Sequence, residues 1–243
     1  MTEAANKPVN KPQRKENVFL NLALNIIIPT VILVKFSGEE HLGPQMGIVV
    51  ALAFPILYGF YDFLLARKVN FFSVIGVISI MLTGGISLLE LDPQYIAIKE
   101  ASIPALFGLA TLISLKTPYP VVKTFLYNDK IMQVDRVSEA LRNRHNESNF
   151  EKTLTRASYL IAGSFFLSSV LNYILAKIIL VSPPGTEAYN AQLGKMTALS
   201  LPVISIPAML VLFGALYYLF RSITRLTQLS LEDIFVDQNA QKD

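Results

Sequence analysis

Two places in this chain surround ionisable side chains with apolar sequence. Asp62 stands near the end of the apolar stretch 42–66, with Tyr58 one helical turn earlier on the same face. A carboxylate there, with a phenol to donate to it, is suited to a proton- or cation-linked role. Arg67 and Lys68 follow closely and offer the plainer alternative of an ion pair at the end of the stretch. Lys99 and Glu100 open a second such stretch. Charges inside hydrocarbon are costly, and those that occur face a bundle interior or a polar cavity. Neighbouring residues point in different directions on a helix, so Lys99 and Glu100 need not pair with each other. They read as positions near a membrane interface, or as a placement of Glu100 against a polar cavity between helices.

The uncharged polar residues of these stretches are regularly spaced. Asn21 and Asn25 lie one turn apart, as do Ser164, Ser168 and Asn172, and as do Ser79, Thr83 and Ser87 beside Gly84 and Gly85. Small and hydroxyl residues at this spacing suit close helix–helix packing, because lipid supplies no hydrophobic drive for helices to associate. A solute pathway lined by the same groups is the other reading.

Six apolar stretches must position these residues: 18–34, 42–66, 69–89, 101–115, 157–176 and 196–220. Each approaches the ~20 residues that an α-helix needs to cross a bilayer. The fourth is short unless it starts near Ile96 and takes Lys99 and Glu100 into its first turns. Hydrophobic residues make up 52% and charged residues 16% of the chain, against roughly 25% charged in a soluble domain. The expected fold is therefore all-α: a polytopic membrane helix bundle with six transmembrane helices and an amphipathic cytoplasmic connector. Helices one to four fall within 18–116 and helices five and six within 157–225. A polar, proline-broken segment 1–17 reads as a disordered cytoplasmic tail, and 226–243 as a second cytoplasmic tail.

Basic residues set the orientation. Of the 21 lysines and arginines, Lys35, Lys99, Lys177 and Lys195 fall on one side of the six-helix arrangement and all the others on the opposite side. By the positive-inside rule both termini face the cytoplasm. The formal net charge of +3 is then explained by topology and anionic headgroups, and no nucleic-acid partner is expected.

The segment 117–156 is the longest polar interval, yet it carries apolar residues at helical spacing: Val121, Val122, Phe125 and Leu126, then Ile131, Val134, Val137 and Leu141. Basic residues, including Lys123, Lys130 and Arg136, are available for its polar parts. One amphipathic helix lying in the headgroup plane fits this pattern. Val121, Lys123, Phe125, Lys130 and Arg136 are the candidate surface for lipid headgroups or a protein partner.

The chain has no cysteine and two histidines, His41 and His145, far apart in sequence. No glycine-rich phosphate loop, HExxH or GxSxG occurs. No enzyme activity, metal or cofactor is expected.

Several short patterns carry a resemblance. Asp92-x-x-Tyr95-Ile96-x-x-Lys99 is followed by Ala105-Leu106-Phe107-Gly108; an Arg67-Lys68-Val69 turn, a Lys116-x-Pro118 ending and Phe165-x6-Asn172-x3-Ala176 complete the set. In this order, over residues 50–225, they resemble the bacterial intracellular septation protein A family. That resemblance implies a small inner-membrane protein of Gram-negative bacteria, acting in envelope maintenance or division through contacts with envelope-synthesis or division proteins. It carries over no catalytic residues. This chain departs from the family in a longer N-terminal tail and a longer 117–156 segment. The alternative expectation is a small transporter or channel for an ion or solute using Asp62 or Glu100, which would favour a homodimer.

Overall fold

The computed structural model describes residues 18–66 and 71–236; the Asp62 side chain is among a few near 67–70 that lie outside the description. Among the described residues the regular structure is helical throughout, without strands. Helix α1 combines Val18–Leu22, a π turn over Ala23–Ile27, and Ile28–Lys35. Next come α2 (Gly43–Ala66), α3 (Phe71–Leu88) and α4 (Gln94–Ser114). Two short helices follow, α5 (Val121–Leu126) and α6 (Val134–Asn143), then the long α7 (Glu147–Ile179). Helix α8 runs over Glu187–Thr227 with a π turn at Leu201–Ser205, and the short α9 is Leu231–Ile234.

Four of these helices are long and apolar enough to cross a membrane: those within Gly43–Tyr61, Gln94–Ser114, Glu147–Ile179 and Glu187–Thr227. The apolar helices Phe19–Lys35 and Val74–Leu88 are shorter. The fourth expected stretch is a full-length helix because it does include Lys99 and Glu100. The fifth and sixth run well past their apolar cores at both ends.

The six apolar helices form a closed ring in which α1 touches α2, α2 touches α3, α3 touches α4, α4 lies along α7, α7 along α8, and α8 returns to α1. Close approach is made by small residues. A Cβ on Gly194 of α8 would sit 3.0–3.2 Å from Val34, Leu33 and the Thr30 carbonyl of α1. One on Gly108 of α4 would sit 3.0 Å from the Phe166 ring of α7. Polar side chains then bond across helices: Ser169 donates to the Ala101 carbonyl at 2.8 Å, Ser87 and the Tyr189 hydroxyl meet at 3.2 Å, and Asn190 donates to the Pro44 carbonyl at 2.7 Å. Of the spaced hydroxyls, Ser87 serves as such a packing contact, a use that small and hydroxyl residues have between apolar helices.

The π turns have a covalent cause. Pro29 follows the first, and Pro202 and Pro207 lie within and just after the second. A proline cannot donate to a carbonyl one turn back and its ring crowds that carbonyl; widening the turn relieves the clash.

Segment 117–156 is not one long interfacial helix. It folds as α5, α6 and the first turns of α7 around a core of its own, shared with the end of α8 and with α9. Val122, Met132, Val137, Leu141, Phe150, Leu219, Ile223 and Ile234 are each at most 4% exposed there. We call this unit the cap. Residues 221–236, after the sixth apolar stretch, are part of it. Ser230 and Asp233 form a capping box that starts α9, Met132 pairs with Phe235 in an isolated bridge, and Arg136 reaches the Asp233 carboxylate at 2.9 Å. The physical reason lies in the apolar residues of 121–141. They are too many for one face of one helix, and the Asn128–Gln133 turn lets two short helices close over them. Residues 1–17 and 237–243 fall outside the described residues.

Candidate functional site

Lys99 and Glu100 define the site. Lys99 is only 9% exposed, on the face of α4 that meets α3. Its Nζ lies 2.6 Å from Thr83 Oγ1, 3.1 Å from Ser79 Oγ, 3.4 Å from the Ser79 carbonyl and 2.6 Å from Glu100 Oε1. The Thr83 hydroxyl donates to the Ser79 carbonyl at 3.0 Å, so its lone pairs are left for the ammonium. An ammonium has three protons to give, and here each finds an acceptor. This is what makes burial of the charge tolerable.

The helix directions of adjacent residues left pairing open; the two meet because both side chains are long enough to bring Lys99 Nζ and Glu100 Oε1 together. The Ser79-Thr83 spacing was visible in the sequence as a packing stripe. Its role as the cradle for Lys99 was not, because nothing local registers α3 against α4.

The pair stands between two cavities, the second of which mixes polar residues with Leu175, Met196 and Ile204. On the α3 side lies a groove of about 710 Å³ whose walls include Ile78, Leu82, Ile98 and Leu106, with Lys99, Ser79 and Ser102 as its polar members. Ile78, Leu82 and Leu106 are 51%, 48% and 63% exposed, so the groove opens sideways, away from the bundle axis. Its size lies within the 300–1,000 Å³ range typical of ligand sites. On the other side, Glu100 lines a cavity of about 170 Å³ with Asn172 of α7 and Thr197 and Ser200 of α8, beside the π turn. This volume holds several waters. At the helical rise, Glu100 is about 9 Å from Gln94 along α4 and Asn172 about 10 Å from Ile179 along α7, so both lie at one level. Asn172 was noted in the sequence as part of a serine stripe. Thr197 and Ser200 were not, because α8 carries them just outside its most apolar part.

The other sequence candidates divide. Tyr58 is half-buried on α2, while the side chain of Asp62 lies outside the described residues. Tyr58 is not brought to the Lys99 site. In the cap, Lys123 is paired with Glu151 at 2.5 Å and Arg136 with Asp233. Val121 is half-buried, its N–H donating to Ser114 Oγ at 2.9 Å. Phe125 (66% exposed) and Lys130 point outward, with exposed Tyr119 nearby in sequence. The surface expected to meet lipid or a partner is thus reduced to Phe125 and Lys130, since Lys123 and Arg136 are spent holding the cap together.

Asp233 is held below the usual carboxylate range, first by the Ser230 hydroxyl and backbone N–H and then by Arg136. A depressed carboxyl contributes stability above its unfolded value, and this is lost as pH falls through the folded one. Amides of 230–236 should therefore lose hydrogen-exchange protection on acidification from neutral pH to below the ordinary carboxylate range. Asp233→Asn should show weaker protection at neutral pH and little further loss on acidification.

No family model, no curated protein and no solved structure matches this chain. What the fold and site define is an all-helical protein with helices long and apolar enough to cross a membrane, carrying a buried lysine paired with a half-buried glutamate between an apolar groove and a smaller cavity of mixed lining.

Proposed function

We propose that this is an integral protein of the bacterial inner membrane that takes an anionic, long-chain amphiphile from the bilayer into the α3–α4 groove, with the headgroup at Lys99. One observation carries the reading: a buried ammonium stands in a groove whose other walls are mostly apolar and which opens sideways. Hydrocarbon would fill such a groove, and the one cation favours a negative headgroup. A role in envelope maintenance or division accords with this chemistry and with the resemblance to the septation family. The work is binding rather than catalysis. A small transporter is the second reading, favoured by the polar cavity at Glu100; two copies of the chain would then give a wider pathway.

The binding reading has a direct measurement. Purified protein in maltoside micelles should bind hexadecanesulfonate, an anion at every working pH, at least about tenfold more tightly than hexadecanol, one factor of ten being worth 1.4 kcal/mol. Lys99→Met should abolish the preference. Equal affinity for the two probes would sink the reading.

We also read α1 and α3 as crossings, making six with both termini cytoplasmic. Helix tilt and local thinning of the bilayer accommodate their shorter apolar lengths. The absence of cysteine allows single-cysteine labelling. Glu40→Cys, Leu89→Cys and Val181→Cys should react with an impermeant maleimide from outside spheroplasts, and Lys130→Cys and Glu232→Cys only after permeabilisation. A sheltered Leu89→Cys would argue against α3 as a crossing.

A further inference from the structure

The outward side of α8 changes character within one turn. Between Lys195 and Arg221 the sequence has no charged residue. Ile206, Leu210, Phe213 and Tyr217 recur there at three- and four-residue steps, and all four are more than half exposed. Arg221 and Arg225 continue the same face one and two turns further on, and both are exposed. Gly214 lies among the apolar residues, and a Cβ there would meet nothing within 4 Å, so the stripe dips to the backbone. We infer that this stripe binds one anionic phospholipid, with the phosphate at Arg221 and Arg225 and an acyl chain along Tyr217, Phe213 and Leu210.

Length, charge and preorganisation fit that occupant. From Ile206 to Tyr217 is about 16 Å at the helical rise, about half of the ~30 Å hydrocarbon core. The apolar part of the stripe thus matches the chains of one leaflet, and the arginines stand where that leaflet has its phosphates. Among the described residues neither arginine has a carboxylate within ion-pair distance, whereas Lys123, Arg136 and Arg142 of the cap do. A guanidinium presents its N–H groups in a fork that matches two phosphate oxygens. Arg221 is already held in place. Its Nη1 donates to the Tyr217 hydroxyl at 2.7 Å, and its guanidinium carbon stands 5.9 Å from the centre of the Tyr217 ring. One of five N–H donors is used in this way, the rest remain for a ligand, and a fork held beforehand loses less freedom on binding. An acidic protein segment would satisfy the arginines but not the apolar stripe beside them.

Helix α7 supplies an internal comparison. Lys152 and Arg156 are exposed on it, and among the described residues no carboxylate or aromatic ring holds either. Asn146 of α7 donates to the Leu226 carbonyl of α8 at 3.0 Å. Counting the helical rise from that bond places Lys152 about 9 Å and Arg221 about 8 Å along their helices, so the two stand at one level. The α7 pair therefore offers the same charge at the same depth without the preorganised fork. The lipid site owes nothing to the α3–α4 groove and requires only that α8 crosses the bilayer.

The chain has no tryptophan, so Phe213→Trp places a single reporter on the stripe, about 12 Å along the helix from Arg221. The full chain would be reconstituted in vesicles of equal parts phosphatidylglycerol and phosphatidylcholine, with one or the other carrying brominated acyl chains. Quenching of the tryptophan then reads which lipid lies against it. Brominated phosphatidylglycerol should quench as if enriched about fivefold or more, a single basic residue at an anionic surface being worth about that factor. Arg221→Gln/Arg225→Gln in the reporter should bring the enrichment close to unity. Lys152→Gln/Arg156→Gln removes the same charge and should keep most of it. All four side chains are exposed, and far-ultraviolet circular dichroism checks that the helices persist. Equal quenching by the two brominated lipids, enrichment that survives loss of both arginines, or equal loss in the two double variants would each overturn the site. The last would mean a diffuse attraction to the basic end of the bundle. None of these outcomes would alter hexadecanesulfonate binding at Lys99.

Discussion

Replacing Lys99 with methionine should destabilise the folded protein by about 1–3 kcal/mol, the cost of leaving polar partners unsatisfied, since the Glu100 carboxylate left behind is only half-buried. Methionine fills much of the same volume, so the loss is electrostatic rather than a cavity effect. Glu100 is left facing acceptors, and Thr83 and Ser79 lose the donor that satisfied them. Glu100→Gln alone should cost less, about 1–2 kcal/mol, because Lys99 keeps its two hydroxyl partners. The double variant Lys99→Met/Glu100→Gln should cost less than the two single losses together, giving a coupling energy of about 1–3 kcal/mol in a double-mutant cycle. Reversible unfolding in mixed micelles provides the measurement. Additive losses would mean that the pair does not interact as the structure has it, and the functional readings built on it would fall too.

The cap should fail as a unit. Ile234 is 0% exposed, although it stands in the short α9 after the long helices have ended. Ile234→Ala should destabilise the cap by about 2–4 kcal/mol, the usual cost of emptying a fully buried aliphatic site. Truncation after Gln228 should cost more. It also removes the Arg136–Asp233 pair and the backbone bonds that tie Gln133 to Ile234 and Val236 to Ile131. Trypsin should then cut at Lys130, Arg136 and Arg142, while the helices of the ring stay protected, because local unfolding does not require opening of the whole bundle. Continued resistance of these sites would show that the cap core stands without α9. Deleting 120–145 would strip Val122, Met132, Val137 and Leu141 from this core. Its effects would therefore report loss of a folded unit as much as loss of a docking surface.

The helical class and the apolar stretches were legible in the sequence because each depends on local composition and period. Transfer of apolar residues from water does not depend on which helix they later touch. Lys99 and Glu100 were legible as charges in an apolar stretch for the same reason. Their pairing, the cradle of Ser79 and Thr83, and the division into groove and cavity were decided by tertiary structure. Whether a hydroxyl packs a helix or receives an ammonium depends on the rotation and register of α3 against α4, which no window of one helix contains. The cap shows the same limit. Its apolar spacing was visible, but an amphipathic face buries itself equally well in headgroups or against protein. The choice was made by Leu219, Ile223 and Ile234, distant in sequence and brought there by the full lengths of α7 and α8.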